Sequence, residues 1–194
     1  KLREDTQLEL VDIHERLDTT FIVVTHDQEE AMMLASRAGV MDHGRLVQVD
    51  TPKVLYDRPA NSFIADFLGT VSFLQGRIVR AENGLLDVDG PVPVTAIDPG
   101  GFAVGEDVKM AIRPEKISLT RVASGGLNDV AVTVEDMAFA GVASNYRVAA
   151  PGGCLLKLTQ PNWRSDEAPL QWEEQVFASF DPADVVPVSY THLT

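Results

Sequence analysis

Thr25-His26-Asp27-Gln28-Glu29-Glu30 is the segment of this 194-residue chain whose residue types and spacing could do chemistry. It follows Phe21, Ile22, Val23 and Val24, three of them β-branched, which is the pattern of a strand covered on both faces. Thr25 and Gln28 have the spacing of a capping box, and Asp27, Glu29 and Glu30 load the next helical turn with the negative charge the macrodipole favours. His26 is therefore expected at the carboxyl end of a strand, the edge at which open α/β sheets hold their ligands. An imidazole placed there can donate to a phosphoryl oxygen while its other nitrogen is oriented by a neighbour. The plainer reading of the same pattern is a histidine that merely satisfies a helix start.

The elements that must position it are legible on both sides. Upstream, residues 1–17 have a helical rhythm, with Leu10, Ile13 and Leu17 on one face beside Val11. Downstream, Ala31, Leu34, Ala35 and Ala38 share one apolar stripe, which predicts a helix running to about Ala38 and stopped by Gly39. Val40-Met41 and Leu46-Val47-Gln48-Val49 flank Asp42-His43-Gly44-Arg45 as a β-hairpin. Thr51-Pro52 is an N-cap followed by proline at the first helical position, and Arg58-Pro59 ends that short helix. A further short helix near residues 61–68 carries Phe63, Ile64, Phe67 and Leu68 on its apolar side. One helix and one buried strand cannot make a parallel sheet, so residues 1–69 are expected to be the end of a larger α/β domain.

From Val71 onward the pattern changes to short β candidates at 73–79, 85–88, 108–112, 130–134, 146–148 and 155–158, punctuated by Gly, Pro, Asn and Asp. Such a series favours a small barrel or sandwich for residues 70–194. It also contains an echo. Val108, Ala111, Ile112, Pro114 and Ile117 correspond to Val176, Ser179, Phe180, Pro182 and Val185 at a constant separation of 68 positions, which suggests two related β-subdomains.

Composition narrows the function classes. Against 29 acidic residues stand 16 lysines and arginines, a formal charge of −13, which opposes binding to a nucleic-acid backbone because phosphate neutralisation needs clustered cations. No apolar run reaches the roughly 20 residues that span a bilayer, and the first residues lack a signal-peptide core, so a soluble protein outside the secretory route is expected. The single cysteine, Cys154, reads as a small buried thiol in a strand. His14, His43 and His192 read as solvated, Asp42 and Asp50 as turn residues, and Trp163 and Trp172 as packing over a barrel end. Arg113, Lys116 and Arg147 are too few to make an anion site.

The run from Thr25 through Ala31, then Met41-Asp42-His43-Gly44-Arg45-Leu46-Val47-Gln48 and Thr51-Pro52, resembles the end of the nucleotide-binding subunit of bacterial ABC importers. Tyr56-Asp57-Arg58-Pro59-Ala60-Asn61-Ser62-Phe63-Ile64-Ala65 and Ile112-Arg113-Pro114-Glu115-Lys116-Ile117 are similar to the branch that carries a carboxyl-terminal regulatory extension of OB-like barrels, the TOBE type. The overall wording is most similar to polyamine (spermidine or putrescine) importers, with sugar, iron and sulfate importers close behind. The resemblance implies a fold of two parts, the end of a P-loop ATPase domain over 1–69 and an all-β regulatory region over 70–194.

It also implies roles. His26 matches the switch histidine that contacts the γ-phosphate of ATP, supported by the helix cap of Thr25, Asp27 and Gln28. The full-length subunit would use ATP and Mg, pair as a homodimer and dock on membrane permease subunits at the cytoplasmic face of the inner membrane, without inserting into it. The glycine-rich phosphate loop, the LSGGQ signature and the Walker B carboxylates lie upstream of the matching residues in that family, so this chain alone is expected to hold no cofactor and to be inactive. The alternative from a different class is a non-enzymatic, ligand-binding β-module with a docking remnant at its front. His26 in its strand-to-helix setting discriminates for the first, because a free-standing β-module has no reason to keep it.

Overall fold

The helical stretches after His26 form where caps are available. The structure, a computed structural model, describes residues 20–162 and 170–189. The helix expected over 1–17, His14, Trp163, Tyr190 and His192 lie outside the described residues. Helix α1 (Gln28–Leu34) is followed by the hairpin β1 (Ala38–Asp42) and β2 (Arg45–Asp50), then α2 (Pro52–Asp57) and α3 (Ser62–Phe67). Thr51 Oγ1 caps α2 at the Val54 amide, 3.4 Å away, and Asn61 Oδ1 caps α3 at the Ile64 amide, 2.9 Å away. Leu55, Ile64, Leu68 and Val40 form a small buried cluster, with Met32 of α1 packed against it.

Two expectations change here. Residues 21–24 belong to no strand and are exposed, Ile22 at 90% and Val24 at 93%. Their apolar pattern fits burial on two faces, but no described strand lies beside them to complete a ladder, and a strand without partners gains nothing from its pattern. The helix α1 also ends at Leu34, four residues early, because Ala35 turns extended (φ −89°, ψ 132°) and Ala38 pairs with Asp50 across the hairpin. Gly39 is thus a strand residue. A Cβ there would lie 2.8 Å from Leu46 Cδ1, so the glycine makes room for the facing side chain instead of stopping a helix.

The rest of the described chain is β. Strands β3 (Ser72–Glu82), β4 (Leu85–Asp89), β5 (Val94–Ile97), β6 (Asp107–Ile112) and β12 (Val185–Val188) form one antiparallel sheet in the order β12-β6-β3-β4-β5. Strands β7 (Ser118–Thr120), β8 (Asp129–Phe139), β9 (Ala143–Ala150), β10 (Cys154–Pro161) and β11 (Gln175–Ser179) form the other, in the order β10-β9-β8-β11-β7. The first sheet curls until β12 and β5 approach. In the second, Gln160 Nε2 of β10 donates to Leu119 O of β7 at 3.2 Å, joining its two edges. This all-β, barrel-like region matches the expected class, and one apolar core that includes Ile78, Leu86, Met110, Ile117, Val134, Leu156 and Val176 runs through both sheets.

The two halves of the sequence echo lie where the sheets meet. In the first, β6 leads through a 3₁₀ turn (Pro114–Lys116) to β7; in the second, β11 leads through a 3₁₀ turn (Pro182–Asp184) to β12. Each phrase crosses from one sheet to the other. The phrases then pair reciprocally, β6 with β12 and β7 with β11.

At the turn of the first sheet the backbones come very close. A Cβ at Gly76 of β3 would lie 2.3 Å from Asp89 O, and one at Gly90 would lie 2.4 Å from Gln75 O. Nearby, Asn128, 2% exposed, joins the sheets by accepting from the Thr95 amide and donating to the Thr95 carbonyl, both at 2.8 Å. Cys154 opens β10 half-buried against the core. Trp172 does not pack over a barrel end but is 68% exposed, because it sits in the tight turn closed by the Glu174 amide on Gln171 O at 3.2 Å.

Candidate functional site

The segment around His26 is held by its neighbours' side chains. Thr25 Oγ1 accepts from the Asp27 amide at 3.0 Å and donates to Glu30 Oε2 at 2.6 Å. Asp27 Oδ1 accepts from the Glu30 amide at 3.0 Å, and Asp27 O accepts from the Ala31 amide at 3.1 Å. Asp27 is therefore the N-cap and Gln28 the first helical residue, two positions later than the Thr25 to Gln28 spacing suggests. The reason is that the Thr25 hydroxyl is used locally on the amide two residues on, a common Thr turn that competes with capping. Threonine, aspartate and glutamate interlock around the bend, and His26 stands exposed at its apex.

What this arrangement can do is offer an imidazole to an external acceptor from a braced backbone. The described residues leave the His26 imidazole exposed to such an acceptor. They do not supply a magnesium site, since no three of His, Cys, Asp and Glu among them are grouped to hold a metal. His43, at the hairpin tip with φ 44°, has a side chain 94% exposed and takes no part.

The three cations set aside in the sequence have separate structural roles. Lys116 Nζ pairs with Asp184 Oδ1 at 2.8 Å, linking the two 3₁₀ turns of the echo. Arg147 faces Glu135 at 3.6 Å and Asp136 at 3.7 Å on a cleft of about 330 Å³ that Lys157, Asn145 and Thr70 also line. Arg113 is buried, 7% exposed, with its guanidinium 4.0 Å over the Tyr56 ring. Burial lowers its pKa from the usual value, partly opposed by Tyr56 and Glu115. Sequence reasoning set Arg113 aside and missed the part it plays at this junction. The available signal was an arginine between the strand candidate 108–112 and a proline, where a surface cation has no obvious purpose.

Tyr56 completes the group by donating to Glu115 Oε1 at 2.8 Å. Burial, then that hydrogen bond, pushes its phenol up to about 12 from 10.0. A raised tyrosine pKa stabilises the fold fully below the unfolded value and loses that contribution as pH climbs from about 10 through about 12. Tyrosinate absorbance across an alkaline titration should therefore show one of the three tyrosines ionising near 12, and that component should vanish in Tyr56→Phe.

With the geometry established, known families give its kinship. Residues 110–188 match the family described as "TOBE domain". The match starts in β6 and stops at the end of β12, the two strands that pair to close the first sheet. The chain is 40% identical over 185 residues to the spermidine/putrescine import ATP-binding protein PotA of Rubrobacter xylanophilus, covering 93% of this chain and 48% of that protein. It is 37% identical over 164 residues to PotA 1 of Pseudomonas aeruginosa, covering 84% and 44%. Against PotA of Fusobacterium nucleatum it is 32% identical over 197 residues, covering 95% and 52%. The chain spans about half the length of the curated relatives it matches.

Among solved structures, a cytoplasmic molybdate-binding protein, ModG, superposes with a TM-score of 0.50 at 16% identity, covering 61% of this chain and 94% of that one. That likeness is one of fold. The chain is thus similar along most of its length to proteins named spermidine/putrescine import ATP-binding proteins, and its residues 110–188 to the TOBE family.

Proposed function

We propose that this chain is part of the ATP-hydrolysing, energy-coupling subunit of a bacterial ABC importer that takes up polyamines. The observation that carries the reading is kinship along nearly the whole chain, 84–95% of its length, with proteins named for spermidine/putrescine import. Residues 1–69 are the end of the nucleotide-binding domain and 70–194 its regulatory and dimerisation region, built of two β-subdomains. The subunit works as a homodimer on membrane permeases at the cytoplasmic face of the membrane. Among the described residues no helix is long and apolar enough to cross a bilayer.

Bound ATP with Mg supplies a phosphoryl group for transfer to water. This chain's contribution is His26, whose ring N–H donates to the transferring phosphoryl oxygen and helps hold the attacking water in register, while the Thr25, Asp27 and Glu30 network keeps the backbone from yielding. The 194 residues contain no glycine-rich phosphate loop, so titration of this chain with Mg-ATP should give no micromolar binding and no hydrolysis. The reading is tested with the full-length subunit reconstituted with its permeases. ATP-dependent uptake of labelled putrescine or spermidine is expected. Uptake of a sugar, iron or sulfate in its place would reassign the solute, and absence of any ATPase activity would overturn the whole assignment.

A further inference from the structure

We propose that Arg113 is the joint that makes the helical segment and the β region one mechanical body, so that any displacement of the barrel is passed through α2 and α3 to α1 and His26. The part of this concerning His26 rests on the function proposed above; the joint itself does not.

The apolar contact between the two parts is slight. Ala65 of α3 meets Ala111 of β6 and Val188 of β12, with Val71, Phe73 and Val186 at its margin. Small side chains of this kind bury little area and place few limits on sliding. Arg113 supplies what they lack. Its Nη1 donates to the carbonyls of Ala65 at 2.9 Å, Gly69 at 3.1 Å and Thr70 at 3.2 Å, and its Nη2 to that of Tyr56 at 3.3 Å. Tyr56 and Ala65 lie in the last turns of α2 and α3, and Gly69 and Thr70 follow α3 directly. These are the positions where helix carbonyls have no intrahelical partner.

One planar cation therefore caps two helix ends at once from a single position just beyond β6. Lysine could not replace it, since a point charge lacks the fork and cannot stack on Tyr56 in the same way. Glu115, two residues along, holds the other end of Tyr56, so α2 is gripped at both its backbone and its phenol. From α2 the path continues through Leu55 to Met32 of α1, whose N-cap is the residue after His26.

Native-state hydrogen exchange on the full 194-residue chain tests the joint. In the unaltered chain the amides of α2 and α3 should open together with those of β3 and β6. In Arg113→Lys the protection of α2 and α3 should fall about a hundredfold further than that of β3, because hydrogen bonds to a charged group are worth about tenfold or more each. A purely core-packing role would lower all of them by the same factor, and that result, or no change at all, overturns the proposal. Tyr56→Phe keeps ring and fork and loses only the bond to Glu115, so it should shift the same amides in the same direction by several-fold. If Arg113→Lys does not fold, a uniform response in Tyr56→Phe overturns the proposal on its own. Turnover of the full-length subunit separates the two readings. Wild-type turnover in His26→Ala would remove the role given to His26 and leave the exchange pattern standing, whereas a uniform exchange response removes the joint whatever the turnover.

Discussion

Replacing His26 by alanine in the full-length subunit is expected to lower ATP turnover by on the order of a hundredfold or more, with little change in stability. A preorganised donor aimed at charge that develops in a transition state is worth roughly 3 to 4 kcal/mol, and its loss appears in kcat. His26 is suited to that role because its environment is fixed without using its ring. Thr25, Asp27 and Glu30 bond one another around it, and the imidazole stays exposed at the apex of the bend. The same geometry supplies the control. Asp27→Ala removes the cap of α1 and should cost about 1 kcal/mol of local stability, with a smaller effect on turnover than the histidine change. Steady-state hydrolysis together with the circular dichroism of each variant distinguishes the two, and an unimpaired His26→Ala subunit would refute the phosphate contact.

Gly76→Ala is expected to have the largest effect on stability of any single methyl addition in the barrel, on the order of 3 kcal/mol or outright failure to fold. The new Cβ would sit 2.3 Å from the carbonyl oxygen of Asp89 and 2.6 Å from Val88 Cγ1. A side-chain end can swing aside, but the Asp89 oxygen belongs to the backbone of the neighbouring strand. Relief therefore requires β3 and β4 to separate where Arg77 pairs with Asp89 and Ile78 with Val88. Gly84→Ala is the comparison, since its φ of 75° is strained for alanine but nothing lies within 4 Å of the added atom. It should cost about 1 kcal/mol. Chemical denaturation of the two variants beside the parent chain reads the difference, and equal midpoints would show that the strands part freely.

What could be read from the sequence was what local chemistry decides. Thr51 acts as the cap the sequence places before Pro52, and the turn at His43-Gly44 closes a hairpin. Strand candidates with clear alternation, such as 85–88 and 108–112, appear within a residue or two of their expected bounds. What failed depended on partners. The apolar residues 21–24 describe a strand only if other strands flank them, and pairing of Ala38 with Asp50 overrode the helical stripe that ended there. Strands β5 and β7 were not among the strand candidates, and β11 and β12 entered only through the second phrase of the echo. At the site, His26 precedes a helix as expected but follows no strand, and the cap moved to Asp27 because a hydroxyl chose a nearer amide. Arg113 was invisible for a different reason, since its four carbonyl partners lie 43 to 57 positions away along the chain.

The crossing of the two strand-turn-strand phrases sets an order of events during synthesis. Val185 pairs with Ile112 and Val188 with Lys109, so the edge of β6 waits for residues made more than 70 positions later. Until the ribosome releases that last segment, the first sheet has an open edge and the second lacks the phrase that joins it to the first. Neither half can finish alone, and the barrel is completed only once β12 has been made and released, a topology that favours slow, late closure over stepwise assembly. Loss of residues from the end of β12 would thus bare one edge of β6, a strand made more than 70 positions earlier.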